Sequence, residues 1–157
     1  MTNEELMSLV NRSLFAALGY TDKQGRPSVR RVFCVWHKGL ARHLISTNTC
    51  SEHVQSLMQN GNACLYFSDD AKFEGLCLYG NVTVHFEEAY RALLWNPGDE
   101  KYYPAGISDP DYCVLEFAAE SGRFYRYDGK GELTAEMLAE SEAGRKFENG
   151  YAAQAAG

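Results

Sequence analysis

Apolar and polar positions along this chain follow two rhythms that alternate several times. Leu6, Leu9 and Val10 recur at helical spacing behind Thr2-Asn3-Glu4-Glu5, a capping-box start, which predicts a short helix with one apolar face. Leu14 to Tyr20 reads as a buried strand, and Asp22-Lys23-Gln24-Gly25 as a turn in which Gly25 is free to take positive φ. From about Ser28 to Trp36, Val29, Arg31, Phe33 and Val35 alternate with Arg30, Val32, Cys34 and Trp36. That pattern predicts a single strand with its two arginines on opposite faces. His37-Lys38-Gly39 then turns the chain into a third strand, Leu44-Ile45-Ser46-Thr47.

The rhythm next becomes helical. Val54, Leu57 and Met58 share one face of a helix that stops at Asn60-Gly61. Between strand and helix lies Ser46-Thr47-Asn48-Thr49-Cys50-Ser51, rich in hydroxyls. A helix starting there points free backbone N–H groups and its positive dipole end outward, and hydroxyls beside them can seat a phosphate. The same residues also fit a capping box, with Thr49 as cap and Glu52 reaching back. Both readings stand on the sequence.

Ala63 to Phe67 is the next strand, with a turn at Ser68-Asp69-Asp70. A long alternation then puts Leu76, Leu78, Gly80, Val82, Val84 and Phe86 on one face and Cys77, Tyr79, Asn81, Thr83 and His85 on the other. Its central Gly80 implies a bend, as at a barrel corner. Glu88 to Trp95 reads as a helix ended by Asn96-Pro97-Gly98, and Asp99 to Asp111 as an ordered loop rich in aromatics, of a kind that often lines sites. Tyr112–Phe117 and Arg123–Tyr127 read as a closing hairpin around Ser121-Gly122, and Thr134 to about Phe147 as a helix capped by Thr134. Six or seven strands with short connections imply a partly closed antiparallel barrel with peripheral helices rather than a βαβ sheet. Residues 1–130 would form the barrel and 131–157 a helical tail of the same domain.

The 157 residues suit one domain, and the net charge of −6 argues against a nucleic-acid surface. No apolar stretch approaches the roughly 18 residues of a membrane span. The start of the chain shows no signal-peptide pattern. Five widely spaced cysteines read as small hydrophobes in a reducing cytoplasm, not as a disulfide frame. Gly129-Lys130-Gly131 is a turn and no dinucleotide fingerprint, and Cys34, His37 and His43 match no standard metal spacing. Asp109-Pro110-Asp111 reads as a turn. No acid–base residue stands out; His85 and Tyr79 share a strand face, where packing or solvation is the simpler role.

The run Asp22-Lys23-Gln24-Gly25-Arg26-Pro27-Ser28-Val29-Arg30-Arg31-Val32-Phe33, followed by Ile45-Ser46-Thr47-Asn48-Thr49-Cys50-Ser51, resembles the pyridoxamine 5′-phosphate oxidase-like family. Phe73 to Gly80, Gly98 to Pro104 and Asp109 to Tyr112 resemble its general-stress-protein branch, small flavin-binding split barrels. The resemblance implies a homodimer with FMN at the subunit interface and a small-molecule substrate, with no nucleic-acid or membrane partner. It places Arg30 at the family arginine, with Arg31 as the alternative one residue away, and Val32 and Phe33 along the flavin. By the same resemblance Ser46, Thr47 and Ser51 would hold the ribityl-phosphate end, with Asn48, Thr49, His53 and Gly75 as further cofactor-binding positions. Glu52 and His53 stand where the family commonly carries a basic residue or pair, and Gly75 where full-length oxidases carry a flavin-edge glutamine. The C-terminal arginine motif of those oxidases is absent, so that activity is not expected. The implied function is an FMN-dependent oxidoreductase; the alternatives are a flavin-binding, stress-related protein without turnover, or a barrel holding another ligand such as haem or a deazaflavin.

Overall fold

The computed structural model describes residues 1–34, 36–139 and 143–145. Helix α1 (Asn3–Arg12) begins with the predicted capping box: Thr2 accepts from Glu5 N–H while the Glu5 carboxylate accepts from Thr2 N–H. Its Leu6, Leu9 and Val10 are fully buried. Strands β1 (Phe15–Thr21) and β2 (Pro27–Phe33) form a hairpin about the Asp22 turn, where Gly25 has φ 79°. Then come β3 (Trp36–Lys38), β4 (Arg42–Asn48), α2 (Glu52–Gln59), β5 (Asn62–Asp69) and β6 (Glu74–His85). Helix α3 (Glu88–Leu94) leads through two 3-10 turns to β7 (Tyr112–Arg126) and β8 (Gly129–Glu132), then α4 (Ala135–Leu138) and β9 (Ala143–Arg145).

All strand pairs are antiparallel, in the order β2-β1-β5-β6-β7-β4-β3-β9, with β8 beside β7. β2 and β3 lie toward opposite ends of this path, yet only residues 34 and 35 separate them. Three Cα steps reach at most about 11 Å, so the sheet must curl until its two margins nearly meet. No ladder joins β2 to β3 among the described residues: the barrel is split. The main core fills its interior, where Leu18, Val32, Ile45, Leu65, Leu76, Leu78 and Phe117 meet α1 and α2. A second cluster of Trp36, Leu44, Leu94, Tyr103, Tyr112 and Val114 lies on the outer side of β4 and β7, beneath α3 and the following loop.

Four sequence expectations give way here. Among the described residues the sheet has nine strands, where six or seven were expected. The strand expected over 28–36 breaks at Cys34, which is fully buried; Val32 packs in the first core and Trp36 in the second. The handover preserves alternation, so periodicity could not reveal it. The expected hairpin at Ser121-Gly122 is instead the middle of one continuous β7. Gly122 serves close packing there, since a Cβ would come within 2.7 Å of Leu133 Cδ1. The hairpin lies at Tyr127-Asp128, between β7 and β8. The expected bend at Gly80 is present: the β6–β7 register shifts between Tyr79 and Gly80, leaving Glu120 as the extra residue. Lastly, the helix expected over 134–147 spans only Ala135–Leu138, capped by Thr134, whereas Ala143–Arg145 forms a strand on β3. The open edge of β3 supplies backbone partners at 143–145 that compete with local helical preference; residues 140–142 and 146–157 of the expected tail lie outside the described residues.

Candidate site at the start of helix α2

β4 delivers the hydroxyl-rich segment to the start of α2, and the loop before β7 fixes it there. Asn48 Nδ2 donates to Asp111 Oδ2 at 2.7 Å, Cys50 N–H to Asp111 Oδ1 at 2.9 Å, and Thr49 N–H to the Asp111 carbonyl at 2.8 Å. The Asn48 amide and the Cys50 N–H hold the Asp111 carboxyl below its usual range. Asp109 organises the same loop by accepting from Ala105 N–H and Asp111 N–H. The Asp-Pro-Asp run is therefore structural, as expected. Beside it Tyr103 and Tyr112 are buried and stacked, with centroids 4.5 Å apart. Tyr103 of the loop thus packs in the second core with Tyr112 of β7, whereas its neighbour Tyr102 is exposed.

The capping box at Thr49 and Glu52 does not form. The N-cap is Ser51, whose side chain makes no capping bond. Glu52 faces β1 instead, where its carboxylate accepts from Tyr20 Oη and from Ser56 Oγ, the latter at 2.6 Å. Ser56 first and Tyr20 second pull the Glu52 carboxyl below its usual range, while burial and the Glu52 acceptor push Tyr20 up to about 12. The chain prefers these bonds because Tyr20 projects from the inner face of β1 toward the helix start.

The first intrahelical bond runs from Gln55 N–H to the Ser51 carbonyl. Among the described residues, the N–H groups of Glu52, His53 and Val54 have no acceptor, as the first turn of a helix dictates. His53 is fully buried, and its Nε2 lies 3.0 Å from Thr47 Oγ1. Burial first, and the Arg30 charge second, depress His53 to about 4, so its ring is neutral at pH 7. Its Nδ1 and Thr49 Oγ1 are buried without a hydrogen-bond partner among the described residues.

The two arginines separate cleanly. Arg30 stands opposite Leu18 on the inner face of β2, and its charge acts on Tyr20 and His53. Arg31 turns outward and lies over the Phe15 ring, 4.3 Å from its centroid; Phe33 packs against the same ring at 4.8 Å, tilted by 37°. Val32 is spent in the core. The structure thus gathers Arg30, Thr47, Thr49, Ser51 and His53 at one end of the barrel, with Asn48 bound to Asp111. Ser46 lies on the opposite face of β4 from Thr47, and Arg31 and Phe33 lie on the outer face of β2. Gly75 sits on the outer face of β6, packed against Tyr66 and Tyr125, whose hydroxyls are hydrogen-bonded to each other. Tyr20 and Asp111 are central to the site but have no local signal as partners of α2, since each is brought there from a distant strand or loop. Elsewhere, His85 stacks on Tyr90 at 3.8 Å and bonds to Glu116, and His37 bonds to Gly39 and Asn11. No group of three potential metal ligands occurs among the described residues.

The split antiparallel barrel, with helix α2 closing against β1 and β6, defines the class. The pyridoxamine 5′-phosphate oxidase family model matches residues 2–126, and the chain belongs to that family. A crystal structure from Clostridium acetobutylicum, of a protein related to general stress protein 26 of Bacillus subtilis, is similar at 35% identity and TM-score 0.78. The match covers 88% of this chain and all of that one. General stress protein 26 from Bacillus anthracis shares the fold at 13% identity and TM-score 0.68, over 83% of this chain and 96% of that one. A heme binding protein from Mycobacterium smegmatis does so at 20% identity and TM-score 0.67, over 87% of this chain and 59% of that one. No curated protein matches the sequence. Among the described residues no helix is long and apolar enough to cross a membrane.

Proposed function

We propose that this protein binds FMN as a homodimer, with the flavin at the subunit interface and its phosphate at the start of α2, and that it is a cytoplasmic oxidoreductase. The carrying observation is the set of spare donors gathered at one point: the N–H groups of residues 52–54, the uncommitted Ser51 hydroxyl and the Arg30 guanidinium. The buried, unpartnered Thr49 Oγ1 and His53 Nδ1 add polar atoms that a bound group would satisfy. The carboxylates of Glu52 and Asp111 are nearby, but each is engaged by its own donors. FMN, when bound, supplies the hydride and electron chemistry. The residues of this chain bind and orient it: Arg30 and Ser51 hold the phosphate, and Tyr20 draws Glu52 aside.

A flavin-binding role without turnover is favoured by one observation. The Glu52 and Asp111 carboxylates and the Tyr20 hydroxyl are each committed to a neighbour, and His53 is held neutral by burial, which leaves none of these four as a ready general acid. Haem is less well served, because His37, His43 and His53 are buried and the His85 side chain is only 14% exposed. Titration of FMN into the apo-protein, followed by flavin fluorescence, tests the reading. Saturable one-to-one binding per chain is expected, and no binding would overturn it. Bleaching of the bound flavin by NAD(P)H under anaerobic conditions separates the oxidoreductase from the carrier.

A further inference from the structure

We infer a second ligand site, for a small planar aromatic monoanion, in a groove on the outer face of β5, β6, β7 and β8. The groove has a volume of about 560 Å³ and is walled by Tyr66, Tyr79 and Tyr125, with Cys77 also on its lining and the core-packed Phe124 at its margin. It is separate from the start of α2. Leu76, Leu78 and Val82 of β6 face the core that holds Val54 and Leu57 of α2, whereas Cys77 and Tyr79 point the other way.

A glycine opens the groove: Gly75 on the outer face of β6 leaves room for the hydrogen-bonded Tyr66–Tyr125 hydroxyl pair. Burial first, and the Tyr125 hydroxyl second, push Tyr66 up to about 12, so its phenol is neutral at pH 7. Tyr79 and Tyr125 remain 38% and 39% exposed, so each ring keeps an open side, Tyr125 beyond its edge contact with Phe73.

Charge sets the ligand class. Arg123 and Lys130 both line the groove, and neither is ion-paired among the described residues; the Arg123 guanidinium lies 5.8 Å from the Tyr79 ring centroid. Glu132 faces Arg123 across the β7–β8 ladder and lines the groove as well. Two cations against one carboxylate leave one positive charge. That balance matches a single carboxylate or sulfonate on an aromatic ring better than a phosphate dianion. The volume lies within the ordinary range for small-molecule sites.

The test uses 8-anilino-1-naphthalenesulfonate as the probe on the full chain, with binding followed by fluorescence and by calorimetry. Saturable one-to-one binding is expected, with the uncharged N-phenyl-1-naphthylamine bound about tenfold more weakly. Arg123→Gln should weaken the sulfonate by about tenfold and leave the neutral analogue unchanged; Tyr79→Ala should weaken both. Arg30→Ala should leave the probe untouched, so failure at the groove and failure at the start of α2 are told apart. Non-saturable probe binding, or equal affinity in wild type and Arg123→Gln with circular dichroism unchanged, would overturn the assignment. So would loss of the probe in Arg30→Ala.

Discussion

The two sides of β6 divide the molecule into regions built on opposite principles. Inward, Leu76 and Leu78 are fully buried against the core that α2 completes, and at the adjacent helix start Tyr20, Glu52 and Ser56 bond to one another and His53 Nε2 to Thr47. Outward, Tyr79 and Tyr125 remain partly exposed, and Arg123 and Lys130 have no ion-pair partner among the described residues. The inner region is fixed by its own contacts and offers only what helix geometry leaves spare. The outer region keeps rings and charges in reserve. A ligand at α2 must therefore fit a rigid seat, while one in the groove meets side chains with few competing bonds.

The largest effect that can break this comparison is on stability. Leu78→Ala on the inner side should cost about 3 kcal/mol through transfer and cavity terms, whereas Tyr79→Ala one residue later should cost less than about 1 kcal/mol. Urea unfolding of the two variants decides it, and equal losses would show that β6 is not two-sided as described. A smaller effect comes from pH. Because the folded-state pKa of His53 is depressed to about 4, its contribution is fully present above the unfolded value near 6.5 and is lost as pH falls through that window. The loss should be on the order of 2 kcal/mol, visible as a melting midpoint that falls from pH 7 to 4.5 more steeply than in His53→Gln. Parallel profiles would mean that the ring is not held in its neutral form by the fold.

The smallest expected change concerns Glu52. Glu52→Gln keeps an acceptor for Tyr20 and Ser56 but removes a charge from the first turn of α2. FMN should bind a few-fold tighter at low salt, with the gain shrinking as ionic strength rises. Unchanged affinity at low salt would place the phosphate away from this turn.

Much of the fold was legible from local pattern. The capping box at Thr2, the Asp22 turn, the start of α2 near residue 52 and the bend at Gly80 each follow from residues close together in sequence. What escaped depends on distant partners. The break at Cys34 exchanges one core for another without disturbing alternation, and Ser121-Gly122 is kept extended by β6 and Leu133. Ala143–Arg145 is drawn into a strand by the free edge of β3. The same holds at the site. Opposite facing of Arg30 and Arg31 was readable from strand periodicity, but the choice between them required knowing which face of β2 looks toward α2. The capping box at Thr49 failed because Tyr20, from another strand, competes for Glu52.

The central claim is that Arg30, and not its neighbour, faces the anion seat at the start of α2. FMN titrations of Arg30→Ala and Arg31→Ala against the wild-type chain test it most directly. Arg30→Ala is expected to weaken FMN by about 10- to 100-fold, the range for losing a charge-assisted hydrogen bond, with Arg31→Ala within about twofold of wild type. A loss confined to Arg31→Ala, or no loss in either variant, would contradict the account.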